Sequence, residues 1–171
     1  DELLKDDSTD ETIPEYSFKR GTVRISVTKQ GGYIREMMDS KVVDKSILSI
    51  KDALNKAKDF LEKTGYKSME ENYYVVNENI LTVNFAYIED GVTCYTDMIK
   101  VSVSMKDGNV TGFEATGYIM SHRERDFNAG LSESDARAKV SPLLTVKSSR
   151  LALIPTDGKY ERLCYELKTT S

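Results

Sequence analysis

LSIKDALNKAKDFLEKTG, residues 48–65, decides the fold. Ser49 precedes an apolar rhythm and Asp52 follows it by three, the arrangement of a helix N-cap with an acid at N3. The hydroxyl can accept an orphan backbone N–H, and the carboxylate sits where the helix dipole favours negative charge. Ile50, Ala53, Leu54, Ala57, Phe60 and Leu61 then recur at i, i+3, i+4 and i+7, while Lys51, Lys56, Lys58 and Glu62 point away. Gly65 supplies the stop. The pattern predicts a helix over Ser49–Thr64. Burying six apolar side chains gains on the order of 10 kcal/mol, whereas fixing the backbone costs roughly 1–2 kcal/mol per residue. Such a helix requires an apolar sheet to cover it.

The sheet follows directly. NYYVVN (72–77) leads through a tight turn at Glu78-Asn79 into ILTVNFAYI (80–88), where Leu81, Val83, Phe85 and Tyr87 alternate with Thr82, Asn84 and Ala86. MIKVSVSM places Ile99, Val101, Val103 and Met105 on one face. Asp107-Gly108 suits the positive φ of a hairpin turn, and VTGFEATGYI returns as a fourth strand. One helix and four antiparallel strands thus make a unit over 47–120.

The opening phrase recurs. LSESDARAK (131–139) repeats Leu, Ser, Asp, Ala and Lys in the spacing of LSIKDALNK (48–56). Ala136 and Val140 continue a short helix that Pro142 ends, and SSRLALIP turns at Asp157-Gly158 into YERLCYELK. Upstream, VRISVTKQGGYI (23–34) has the pattern of IKVSVSMKDGNV (99–110), with PEYSF (14–18) ahead of it. The chain therefore reads as a tandem array. Its parts are an acidic tail or linker over 1–12, the back half of a unit over 13–46, a complete unit over 47–120, a connector over 121–130 and the front half of a third unit over 131–171.

Composition narrows the function. The 24 Lys+Arg stand against 28 Asp+Glu, a formal charge of −4, and no basic block stands out, so nucleic acid is excluded as an expected partner. No apolar run reaches the ~20 residues needed to cross a bilayer. Cys94 and Cys164 lack any C-x-x-C spacing and read as small buried hydrophobes.

Chemistry-bearing patterns are scarce. His122 is the single histidine, which rules out a His-based metal cluster, and no G-x-S-x-G elbow or phosphate-binding glycine loop occurs. Lying among Ser121, Arg123, Glu124, Arg125 and Asp126, it reads as a solvated or ion-paired linker histidine. Glu70, Glu71, Glu89 and Asp90 read as surface and turn acids rather than a glycan-cleaving pair. The acid-rich N-terminus lacks the glycine and spacing of an EF-hand loop. Tyr87 reads as core; Tyr66, Tyr73 and Tyr74 read as half-buried. No catalytic residue, metal site or cofactor is expected, and the chain reads as a non-enzyme.

One stretch exceeds what a scaffold needs. GYIMSHRERDFNAG (117–130) sets apolar anchors beside mixed charge, a common interface composition. Ile119, Met120, His122, Arg123, Arg125 and Phe127 are the candidate partner-binding residues. The alternative, that Ile119 and Phe127 join neighbouring units, stands equally open.

L-S-x-x-D-A-x-x-K opening a helix, followed by a four-stranded sheet with a D-G hairpin, resembles the PepSY module, a small extracytoplasmic domain of protease propeptides and regulators. The fold class expected is α+β, with tandem PepSY modules of which the first and last are incomplete. NFAYIEDGV (84–92), GFEATGYIMSHRERD (112–126) and SSRLALIPT (148–156) resemble the C-terminal region of the YpeB family of spore-germination proteins. That resemblance implies a non-catalytic protein needed for the stability, localisation or restraint of the cortex-lytic enzyme SleB, its expected partner. It also implies an extracytoplasmic place at the spore inner membrane and cortex, reached through an N-terminal anchor outside this sequence. The alternative is a PepSY-type inhibitor of an extracytoplasmic protease. Unpaired edges of incomplete units add the expectation of a strand-exchanged homodimer.

Overall fold

A computed structural model describes residues 12–157 and 160–171 in full and 2–4 as backbone alone. In chain order the elements are β1 (Glu2–Leu4), β2 (Glu15–Arg20), β3 (Val23–Thr28), β4 (Ile34–Asp39), α1 (Ile50–Thr64), β5 (Met69–Asn77), β6 (Ile80–Glu89), β7 (Val92–Ser104), β8 (Val110–Glu114), α2 (Thr116–Ser121), α3 (Glu133–Ala138), β9 (Thr145–Pro155) and β10 (Glu161–Thr170). The fold is α+β, with a mostly antiparallel sheet and few helices.

α1 forms for the local reasons its sequence supplies. Ser49 Oγ accepts the Asp52 N–H at 3.1 Å and its hydroxyl donates to Asp52 Oδ2 at 2.6 Å, closing the first turn. Gly65 sits at φ 88°, a left-handed conformation that costs a residue without Cβ nothing, and Tyr66 N–H closes the end on Leu61 O at 3.2 Å. Ala53, Ala57 and Leu61 are buried against β6, β7 and β8, and Leu54 and Phe60 are half-buried. Ile50 departs from the expected stripe and is 39% exposed, because the first turn lies at the β7–β8 hairpin end, where Leu48 packs at Gly108.

β5 to β8 pair in simple antiparallel succession, as the alternation predicts. Glu78 and Asn79 take φ 47° and 62°, and Asp90 and Gly91 take 49° and 78°, so both hairpins close with two left-handed residues. Two differences from the sequence reading matter later. β7 begins at Val92, well before the expected Met98, and β8 stops at Glu114 instead of running to Ile119. The physical reason for the second is local. Glu114 Oε1 captures the Thr116 N–H at 2.8 Å, and α2 then packs on β7 through Gly117, where a Cβ would lie 3.2 Å from Thr96 O.

One path of strands runs β1-β2-β3-β4-β8-β7-β6-β5. β4 meets β8 through Glu36↔Glu114, Met37↔Phe113 and Met38↔Gly112, so the last strand of the first four-stranded group lies against the last strand of the second. β9 joins β7 in parallel at Thr93↔Ala152 and Cys94↔Leu153, and among the described residues β10 pairs only with β9. The stretch expected as an acidic tail thus contributes a strand, β1, paired with β2. The rest of its first eleven residues, and Gly158 of the expected Asp157-Gly158 turn, lie outside the described residues. α3 starts as predicted, with Ser132 Oγ accepting the Asp135 N–H at 3.2 Å.

Candidate functional site

The site grows from an irregularity in β7. Ala86 pairs with Met98 but Tyr87 pairs with Cys94, so Tyr95, Thr96 and Asp97 are extra residues with no counterpart on β6. Such a bulge bends the strand and re-aims side chains. Here it carries Asp97 inward until it is fully buried.

A buried carboxylate requires partners, and the connector supplies them. Arg125 forks onto Asp97, Nη1 donating to Oδ2 at 2.9 Å and Nη2 to Oδ1 at 2.7 Å. The same guanidinium reaches Glu161 on β10, through Nη2 to Oε1 at 2.8 Å and Nε to Oε2 at 3.2 Å, and donates to Ser121 O at 2.9 Å. His122 Nδ1 lies 3.0 Å from Asp97 Oδ2, and Arg123 Nη2 donates to Glu161 Oε2 at 2.5 Å. Burial works against the Arg125 cation, but the hydrogen bonds of Asp97 and Glu161 outweigh it and its pKa rises above the usual arginine value. Burial likewise opposes the Glu161 charge, yet Arg125 and Thr96 hold its pKa below the ordinary glutamate value. One arginine therefore ties β7, the connector and β10 together.

Aromatic rings extend this knot toward the core. His122 stacks on Tyr118 with centroids 4.2 Å apart and meets Tyr87 edge-on at 4.6 Å; Tyr118 meets Tyr66 edge-on at 5.1 Å. Desolvation by burial pushes both Tyr66 and Tyr118 up to about 12. Tyr66, Tyr118 and His122, with Tyr33, Thr64, Gly65 and Ile119, line a cleft of about 400 Å³. A second tie lies beside the bulge: Arg150 Nε donates to Glu166 Oε2 at 2.8 Å, and Tyr95 hydroxyl donates to the same oxygen at 2.8 Å.

The six candidates from sequence divide by direction. Ile119 packs on the main core, Phe127 on the patch of Val92, Cys94 and Leu153, and His122 is held by Asp97. The Arg125 side chain is 6% exposed. Met120 and Arg123 face outward, at 59% residue and 56% side-chain exposure. Tyr66, read as half-buried, is buried, and Tyr73 and Tyr74 are exposed. Sequence reasoning missed Asp97 and Glu161. The one local signal for Asp97 is an acid interrupting an otherwise strand-like run, CYTDMIK.

The geometry positions charge for joining elements. Among the described residues no three His, Cys, Asp or Glu side chains cluster to hold a metal, and no helix is long and apolar enough to cross a membrane.

Against known proteins, the model of one family, YpeB sporulation, PepSY1 and PepSY2 domains, matches residues 4–128. The sporulation protein YpeB of Halalkalibacterium halodurans is 34% identical over 143 residues, 83% of this chain and 32% of that protein. The YpeB of Bacillus subtilis is 29% identical over 154 residues, 88% of this chain and 34% of that protein. The solved Bacillus megaterium YpeB C-terminal domain superposes with a TM-score of 0.86 at 30% identity, covering 99% of this chain and 78% of that one. The chain thus spans about a third of the length of the curated relatives it matches.

Proposed function

This chain belongs to the YpeB family of sporulation proteins, and from that premise we propose that it is a non-catalytic part of a spore germination protein that stabilises, localises or restrains the cortex-lytic enzyme SleB. The observation that carries the reading is the Asp97–Arg125–Glu161 knot. The most elaborate polar cluster of the fold faces inward and joins units, which suits a scaffold that presents surface to a partner. In this reading the chain is a PepSY array, with the back half of a module over 13–46, a complete module over 47–120, a connector over 121–130 and the front half of another over 131–171. Its place is extracytoplasmic, at the spore inner membrane and cortex.

Met120 at the end of α2 and Arg123 in the connector, both facing outward, are the contact residues proposed for SleB. Binding of the purified chain to purified SleB, followed by calorimetry, tests this. A complex that Met120→Asp and Arg123→Glu weaken supports the reading; no complex, combined with inhibition of an extracytoplasmic protease, replaces it with the propeptide-like alternative. Release of muropeptides from spore cortex by the pure protein would refute the non-catalytic claim.

A further inference from the structure

We propose that the free edge of β5 is a self-pairing surface, on which a second copy of this chain adds its own β5 antiparallel, with the two Val75 residues facing each other across a two-fold axis. β5 pairs with β6 on one side, and on its other side no strand lies among the described residues. A bare edge presents a row of backbone donors and acceptors to any extended chain, and proteins ordinarily guard it with charge, proline or brevity. β5 has none of these over 72–77. It is nine residues long, that stretch holds no charge and no proline, and Tyr73, Tyr74, Val75 and Val76 are 51%, 41%, 54% and 44% exposed.

The register follows from a bulge. The pairing of β5 with β6 shifts between Glu71 and Tyr73, so the regular stretch is Tyr73 to Asn77 and its central residue is Val75. Facing residues of an antiparallel pair must project to the same side of the sheet. Tyr73, Val75 and Asn77 share the side of Asn84 and Thr82, while Tyr74 and Val76 share that of Val83 and Leu81. An axis through Val75 satisfies this, setting Tyr74 opposite Val76 of the second copy and Val76 opposite its Tyr74. Both are aromatic with β-branched pairs, among the stabilising cross-strand combinations. The acids fall outside the ladder: Glu78 comes opposite Asn72 of the second copy, and no carboxylate meets a carboxylate. An axis through Tyr74 would instead run the ladder into the bulge. Joining like strands edge to edge is already how β4 meets β8 within the chain.

A five-residue ladder buries less than the roughly 1,200–2,000 Å² of a standard stable interface, so the dimer is weak and populated toward millimolar concentration. Sedimentation velocity of the whole chain from micromolar to millimolar tests it. The expected result is a rise in the weight-average sedimentation coefficient that Val75→Lys abolishes while leaving the thermal midpoint unchanged. Directly facing residues place Cα atoms about 4.5–5.5 Å apart, within disulfide range. Val75→Cys in a Cys164→Ala background is therefore expected to oxidise to a covalent dimer at least tenfold faster than Tyr73→Cys, which faces Asn77 of the second copy. A flat sedimentation profile, a rise that survives Val75→Lys, or equal cross-linking at 73 and 75 would each overturn the proposal.

Discussion

Replacing Arg125 with methionine removes the guanidinium and keeps most of the side-chain volume. Asp97 is then left fully buried, with His122, whose side chain is 33% exposed, and the Thr96 hydroxyl as its remaining side-chain partners, and Glu161, 10% exposed, keeps Arg123 and Thr96. Breaking a buried pair by removing one partner costs about 3–5 kcal/mol, because the surviving charge has lost both water and its counterion. Domains hold only about 5–15 kcal/mol in total, and for a chain of this size each kcal/mol moves the midpoint by about 2–4 °C. The expected loss is on the order of 6–20 °C. Arg123→Met touches the same Glu161, but its side chain is 56% exposed, so its loss stays within about 1 kcal/mol. Thermal and urea unfolding followed by circular dichroism measure both. Hydrogen exchange locates the damage, which should appear first in β9 and β10, because two residue pairs, a small apolar patch and the Tyr95–Arg150–Glu166 tie are what otherwise hold that hairpin to β7. Adding Asp97→Asn to Arg125→Met should recover much of the loss by removing the stranded charge. A drop for Arg125→Met no larger than for Arg123→Met would show that the knot does not hold the β9–β10 hairpin to β7.

Acid should loosen the same junction. Glu161 and Glu166 have pKa values below the ordinary 4.5, the first through Arg125 and Thr96 against burial, the second chiefly through Arg150. Their folded forms bind fewer protons than the unfolded chain, so their stabilisation is complete above the ordinary value and is lost as pH falls through it toward the folded value. Unfolding midpoints measured from neutral pH down to acid should fall in that window, and fall less in Arg125→Met. Removing the cap with Ser49→Ala should cost roughly 0.5–2 kcal/mol, read from the same unfolding curves. Burial pushes the Cys94 thiol up to about 11, so a thiol reagent at neutral pH should label Cys164 first and Cys94 only on unfolding.

The parts of this fold legible in sequence are those whose physics is local. A serine and an aspartate three residues apart start α1 and α3 where they were expected, because capping involves only neighbouring backbone. Alternation located β6 because one face of that strand is buried against a helix that sequence had also placed. β8 was read too long because its end depends on Gly117 approaching the carbonyls of Thr96 and Met98, atoms about twenty residues away. Asp97 showed locally only as an acid interrupting a strand-like run: what makes it special is a mismatch between two strands, and register mismatch is a property of the pair.

That mismatch also explains why the candidate site divided as it did. A connector rich in arginine beside apolar residues looks the same whether it greets a partner or docks its own units, since both require desolvated anchors with charge around them. Burial decides between them, and burial was set by the bulge. Once Asp97 is carried inside, it demands a cation; Arg125 is the one that reaches it, and the fork also captures Glu161 two strands away. The Arg125 guanidinium is thereby committed to internal joining. Arg123 shares Glu161 without being buried, which leaves it outward beside Met120. Met120 and Arg123 thus stay available for the partner contact proposed above. A partner that competed for Glu161 through Arg123 would also pull on the group that secures the β9–β10 hairpin, coupling recognition to the junction of that hairpin with β7.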